Sequence, residues 1–274
     1  MRAAPLLPVH LLTAALLTAT TLAVVVSPAI AQTPTKAARA KQFDKLPYWS
    51  GLWLTEHDET TIGGHSEAAL AARETGENPT AKIMPLFGFS APWNDEGKAR
   101  RAAKAKVSAG RKAEGWGYPM MMNAAAPVEF LITPEEVLIV NAYRDIRHVY
   151  TDGRKHPAED DLWPTVWGDS IGHWEGDTLV IDTISVKSPN DYFHGAPPLS
   201  DDAHYVERIR MVGPNRIESE MTIEDPATLT GPWKVKLAFT PAKGFDRMIH
   251  MDYDNDRTGF DGEFNTIEKP KDEK

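Results

Sequence analysis

From Val128 onward the chain alternates apolar and polar residues with a period of two, and this pattern constrains the fold more than any other feature of the sequence. The runs EFLIT, VLIVNAY, IRHVYTD, SIGHWEG, TLVIDTISV, AHYVERIRMV, RIESEMTIED, WKVKLAFTPA and DRMIHMDYD read as successive strands. An earlier run, Pro47 to His57, reads as a first strand entered through a glycine turn. Links such as Thr133-Pro134-Glu135, Glu175-Gly176-Asp177, Gly213-Pro214-Asn215 and Ala242-Lys243-Gly244 are short and favour antiparallel hairpins. A long run of antiparallel strands leaves two sheet edges open unless it curls on itself. The expected fold is mostly β. It is an antiparallel meander closing into a lipocalin-like β-barrel, or a sandwich, with one or two short surface helices.

The first 31 residues read as a signal peptide. Arg2 supplies the positive start, Leu11 to Val26 the apolar core, and Ala29-Ile30-Ala31 the small-x-small cleavage site. Four threonines in that core and the cleavage signal argue against a retained membrane anchor. A periplasmic or secreted protein without membrane insertion is therefore expected. Residues 32–264 read as a single β-rich domain and residues 265–274 as a charged tail. Within the domain, residues 32–47 read as a loose lead-in and Glu67 to Arg73 as a short helix. A helical insertion spans about 94–114, with Asn94 as N-cap and Asp95 and Glu96 at its positive end.

The chain carries a formal net charge of −9, and removing residues 1–31, whose only charged side chain is Arg2, makes it −10. That balance argues against nucleic acid and anionic lipid as partners and leaves a small molecule. With no cysteine in the sequence, disulfides, thiol catalysis and Cys-zinc sites are excluded.

Polar and titratable residues interrupt the strand pattern, and those interruptions nominate a site. Glu207 shares a row with Tyr205, Ile209 and Met211, so it is expected to face the core. There it reads as a general acid or base, or as a structural ion pair with Arg147 or Arg208. Asp182 lies with Val180, Ile184 and Val186 and is expected to line the same interior, or to cap backbone at a bulge. His148, on the row of Ile146 and Tyr150, reads as a core histidine with a possible catalytic role. His156 and His204 sit at turns, where sites are commonly built, and each can exchange a proton near neutral pH. Asp201 or Asp202 could orient His204, and His194 could share its rim. Arg147, Tyr150, Trp174 and Tyr205 are the expected substrate-binding side chains, facing an apolar or aromatic ligand.

Other motifs lead elsewhere or nowhere. Gly168 to Gly172 spells a G-x-S-x-G elbow, but a hairpin follows it where a helix is required, so Ser170 reads as a strand residue whose hydroxyl satisfies a neighbour. The histidines lack zinc-ligand spacing, and no cofactor-binding fingerprint is present, so neither a metal nor a cofactor is expected. Asp252, Asp254, Asp256 and Glu263 fall at positions 1, 3, 5 and 12 of a calcium loop, but Arg257 stands where glycine belongs. A solvated acidic segment is the favoured reading there, with structural calcium as the alternative.

The stretches RHVYTDGRKHP, GDSIGHWEGDTLVIDT, SDDAHYVERIR and TIEDPATLTGPW resemble a large group of exported bacterial proteins of unknown function. Their wording is YTDGRxHP, GxSIGxWEGDTLVVDT, SDAxHxxER and TIxDPxxxTxPW, and the likeness runs from about Trp116 to Trp233. It implies export and brings no activity. His156, His204 and Glu207 fall on positions written into those motifs, which weights them above His65, His194 and His250. The chain departs from the group at Gly115 to Asn123, where many members carry a CxPxGxP segment.

The two functions expected are from different classes. One is a cofactor-independent acid/base enzyme (lyase, hydratase, isomerase or hydrolase type) on a small apolar or aromatic molecule. In it Glu207 and His204 form the proton-handling pair, His156 polarises or donates, Asp182 orients, and Arg147 holds a developing anion. The other is a lipocalin-like carrier of a small hydrophobic ligand.

Overall fold

A computed structural model describes residues 35–56, 85–104, 115–124, 126–188, 190 and 195–250. Nine strands form a closed barrel in chain order: β1 (Trp53–Thr55), β2 (Val128–Ile132), β3 (Glu136–Asn141), β4 (Ile146–Tyr150), β5 (Asp169–Glu175), β6 (Thr178–Ile184), β7 (His204–Gly213), β8 (Arg216–Glu224) and β9 (Trp233–Pro241). Among the described residues two short α-helices, α1 (Lys36–Phe43) and α2 (Asp95–Lys104), accompany it. No helix among the described residues is long and apolar enough to cross a membrane.

The expected all-antiparallel meander is corrected at one junction. β4 and β5 run parallel, with Val149 opposite Ser170 and Tyr150 opposite Ile171. Parity requires such an exception. Direction must return to itself around a closed ring, so antiparallel junctions come in even numbers. The nine-strand ring, with β1 antiparallel to β9, therefore needs a parallel junction. A parallel pair cannot be joined by a hairpin. The connection from Thr151 to Gly168 supplies the crossover.

The alternation of the sequence sorts onto the two faces of the wall. Trp233, Val235, Leu237 and Phe239 of β9 are buried inward while Lys234 and Lys236 point out. Ile217, Ser219, Met221 and Ile223 of β8 do the same against Glu218 and Glu220. The interior is filled by the chain itself. Gly115 to Ala124 is buried throughout, and it touches inward residues of several strands. Thr55 of β1 donates to Met122 O at 3.3 Å, Asn141 of β3 to Met121 O at 3.5 Å, and Tyr118 Oη lies 3.9 Å from Met221 Sδ of β8.

Asp145, in the tight link between β3 and β4, anchors this filling segment. Its carboxylate accepts from the backbone N–H of Trp116 at 2.9 Å and of Gly117 at 2.9 Å, from Asn141 Nδ2 at 2.9 Å and from Trp167 Nε1 at 3.0 Å. The approach demands glycine. A Cβ on Gly115 would lie 2.5 Å from Asp145 Oδ1, and Gly115 and Gly117 adopt φ of +89° and +67°.

Several local expectations are corrected. Residues 36–43 form α1, started by Thr35 Oγ1 accepting from Ala38 N, where a loose lead-in was expected. Residues 246–250, expected within a last strand, form none. The Asn94 cap stands: its Oδ1 accepts from Gly97 N at 2.9 Å, and α2 is described as far as Lys104. The signal peptide, the expected helix over Glu67 to Arg73, His65, His194, the charged tail and the acidic run from Asp252 to Glu263 lie outside the described residues.

Removing the Asp145 carboxylate would leave its buried donors without an acceptor, at about 1–3 kcal/mol per stranded group. Asp145→Ala is therefore expected to lose at least about 3 kcal/mol in urea denaturation. A loss within experimental error would show that the anchor is dispensable.

Candidate functional site

The expected site residues fall into two groups separated by the barrel wall. The first group is inside. Glu207 is fully buried and its Oε2 lies 2.6 Å from Arg147 Nη2, itself 1% exposed. Tyr118 Oη donates to the same carboxylate oxygen at 3.1 Å. Arg147 donates through Nε to Ser170 Oγ at 3.1 Å and through Nη2 to Thr183 Oγ1 at 2.8 Å, and those two hydroxyls share a bond of 2.9 Å. Ser170 thus satisfies neighbours, as its sequence context implied. The guanidinium also stacks 4.1 Å above the centroid of the Tyr118 ring.

Burial and neighbouring charge shift the cation and the phenols of this interior. Burial disfavours the Arg147 cation, but Glu207 and Tyr118 beside it raise its pKa above the ordinary arginine value. Burial, then the Glu207 charge, push the Tyr118 phenol well up. Tyr205, packed edge-on against Tyr118 at 5.0 Å, is raised by its own burial and then by Asp225 and Asp201. Glu207 Oε1 and Arg147 Nη1 have no hydrogen-bond partner among the described residues. The geometry is that of a structural ion pair in a packed interior.

The second group is outside. Asp182 points outward, because its strand neighbours Ile181 and Thr183 are the buried ones. This corrects the expectation that it lines the interior with Glu207. In register Ile181 faces Glu207 and Asp182 faces Val206, so the two carboxylates sit on opposite sides of the sheet. His204, the first residue of β7, is likewise outward, which separates it from Glu207. The expected proton-handling pair of Glu207 with His204 is therefore not brought together.

The outer face assembles a different set. His204 Nε2 lies 2.8 Å from Asp182 Oδ1, and His156 Nε2 lies 3.3 Å from the same oxygen. His156 Nδ1 lies 2.5 Å from Asp169 Oδ1. His204 Nδ1 lies 4.0 Å from Glu224 Oε2, beyond hydrogen-bond range. Each partner is placed by the fold. Asp169 opens β5, Asp182 sits mid-strand in β6, and His204 pairs with Glu224 across β7 and β8. His156 arrives on the crossover. Arg154 pins that loop at its start, binding Asp152 at 2.8 Å and stacking 3.9 Å from the Tyr150 ring. Thr165 pins it at its end through Ser185 O at 3.1 Å.

The set is open to solvent, the side chains of Asp182 and His204 being 43% and 38% exposed and that of His156 18%. A carboxylate accepts and does not donate, so Asp182 fixes an N–H on Nε2 of His204. That tautomer leaves the lone pair on Nδ1. A neutral imidazole has one N–H, so His156 satisfies both of its carboxylates only as imidazolium.

The remaining expected residues do not join either group as ligands. His148 is not in the core: Arg147 and Val149 take the inward positions of β4, and His148, 49% exposed, lies 2.8 Å from Glu136 Oε2. Tyr150 is on the outer face under Arg154. Trp174 packs against Trp49 at 5.7 Å. Tyr205 and Arg147 face the filled interior, so Arg147 cannot hold an anion at the outer set. His250 is exposed. Neither Asp201 nor Asp202 orients His204; Asp201 binds the Ser188 backbone N–H instead. Asp169, Asp145 and Tyr118 were missed. Asp169 stands in the GDSIG motif, but its partner His156 arrives on the crossover, and strand alternation carries no signal of that contact.

No family model, curated protein or solved structure matches the chain.

Arg147→Met would strand the buried Glu207 charge and is expected to cost about 3–5 kcal/mol of stability. Replacing both partners by methionine is expected to recover most of that loss. Equal losses in the single and double variants, read from denaturant midpoints, would refute the pairing.

Proposed function

We propose that the protein is an exported acid/base enzyme acting on a small, largely apolar or aromatic molecule at its outer histidine–carboxylate set. The observation that carries this reading is the convergence of His204 and His156 on Asp182 in a solvent-reachable place. His204 is the base. Its Nδ1 lone pair takes a proton from the substrate or from water, and Asp182 stabilises the imidazolium that results. His156, lying between Asp169 and Asp182, is the donor that returns a proton or polarises an oxygen. Ile171, Ile184 and Val206 are half-buried outward neighbours of Asp182 and Asp169 across the strands, and they supply apolar surface for the substrate.

The filled interior supports this reading over the hydrophobic carrier. A carrier needs an apolar cavity, and Met120, Met121, Met122 and Tyr118 occupy that space. Glu207 and Arg147 then serve the barrel that carries the site.

The test does not require the natural substrate. The chain from Gln32 is incubated in D2O with aromatic carbonyl compounds, phenylpyruvate and phenyl acetate among them, and proton NMR reads exchange or product. Loss of a positioned acid or base typically costs 10²–10⁴-fold. His204→Ala and Asp182→Asn are each expected to lower the rate at least about 100-fold with the circular dichroism spectrum unchanged. Since every proton-handling atom in this reading belongs to a side chain, dialysis against EDTA is expected to leave the rate unchanged. Wild-type activity that survives His204→Ala would sink the assignment.

A further inference from the structure

A second place in the molecule has the properties of a ligand site. β1 has only three residues, ending at Thr55, and the backbone N–H of Glu56 still reaches Ala238 O at 2.7 Å. Beyond that point towards Trp233, β9 has no strand neighbour on the β1 side among the described residues. A cavity of about 320 Å³ lies beside the end of β1. Its lining includes Thr55, Asn123, Ser219 and Leu237, which belong to the interior, and Glu56, Arg216, Glu218, Glu220 and Lys236, which form a charged rim. A cavity this size is about ten times the ~30 Å³ share of one water.

The interior members of this lining carry unmet hydrogen-bonding capacity. Asn123 is 2% exposed, and neither its amide nitrogen nor its amide oxygen has a partner among the described residues. Ser219 is fully buried with its hydroxyl unpartnered. Buried polar groups of folded proteins are nearly always satisfied, and each exception asks for a water, an ion or a ligand. The pair offers both donors and acceptors. The rim narrows the chemistry further. Arg216 is already bound to Glu56 at 2.8 Å and to Glu218 at 2.8 Å, and Lys236 to Glu220 at 2.6 Å. Both rim cations are therefore committed, and the three carboxylates outnumber them, so an anion finds no welcome.

We propose that the cavity at the end of β1 is a binding site for a small neutral molecule rich in hydrogen-bond donors and acceptors, a primary amide or a polyol, held at its inner end by Asn123 and Ser219. The site is separate from the outer histidine set and does not depend on the reaction assigned there. An unpartnered buried carboxamide lowers stability, so its presence is a sign of function held at a cost in stability. Asn123→Leu keeps the volume and removes the unmet polarity.

The experiment is a titration of the ¹⁵N-labelled chain from Gln32 with acetamide, benzamide and glucose, with benzoate and naphthalene as anionic and apolar controls. Binding of an amide or of the sugar is expected to move the backbone amides of Glu56, Asn123 and Lys236. In Asn123→Leu the affinity is expected to fall at least tenfold while the melting temperature stays level or rises. His204→Ala is expected to bind as the wild type does. The proposal is overturned if only a control binds, or if no probe moves those amides. It is also overturned if Asn123→Leu melts lower than the wild type, because Asn123 would then be a satisfied structural residue.

Discussion

The Asp145 carboxylate accepts two backbone N–H groups from the segment that fills the barrel, one amide from β3 and one indole from the turn before β5. Much of the structure depends on that one acceptor. A nine-strand ring encloses more space than its own inward side chains occupy, and an empty apolar barrel loses packing on every wall. Gly115 to Ala124 supplies the missing volume, but it enters with backbone amides that must be satisfied away from water. Asp145 satisfies two of them and ties the segment to the β3–β4 link in the same contact. Once seated, the segment presents Tyr118 to Glu207 and thereby completes the polar network around Arg147.

The wall is one residue thick, and this governs the chemistry. Ile181 and Asp182 are neighbours in sequence, as are Val206 and Glu207, yet each pair splits between a dry interior and a wet exterior. The two carboxylates therefore meet opposite physical conditions. Glu207 is buried against the Arg147 cation inside the barrel. Asp182 is hydrated and reachable, and it lies beside two imidazoles that can move protons.

The strands and their order were legible because alternation is strong from Val128 to Pro241. Glu207 was placed correctly because Tyr205, Ile209 and Met211 fix the phase of β7. In β4 the apolar pattern points to the wrong phase. Ile146 and Tyr150 are apolar but outward, and the inward Arg147 disguises the true row, so His148 was assigned to the core. In β6 the run Leu179 to Ile181 is buried on both faces, so the phase of Asp182 could not be decided without knowing what lies opposite. Register supplies that knowledge, and register is a property of two strands. The parallel junction was hidden for a related reason. Short links announce hairpins, whereas a parity requirement belongs to the ring as a whole. The filling role of Gly115 to Ala124 left no periodic signal, since it is neither helix nor strand over most of its length.

The parallel junction between β4 and β5 has a consequence for how such a protein can change over time. Seven of the links between successive strands join antiparallel neighbours and can be direct returns, but because β1 closes the ring antiparallel to β9, the parallel junction must fall between successive strands and needs a crossover. In this chain the crossover from Thr151 to Gly168 is also the segment that delivers His156 to the outer face. Topology thus obliges the barrel to keep a long surface loop, while leaving its wording free between the two anchored ends. Reactivity can be rewritten there in steps of a few residues, with the ring, its filling segment and the buried ion pair all left as they are.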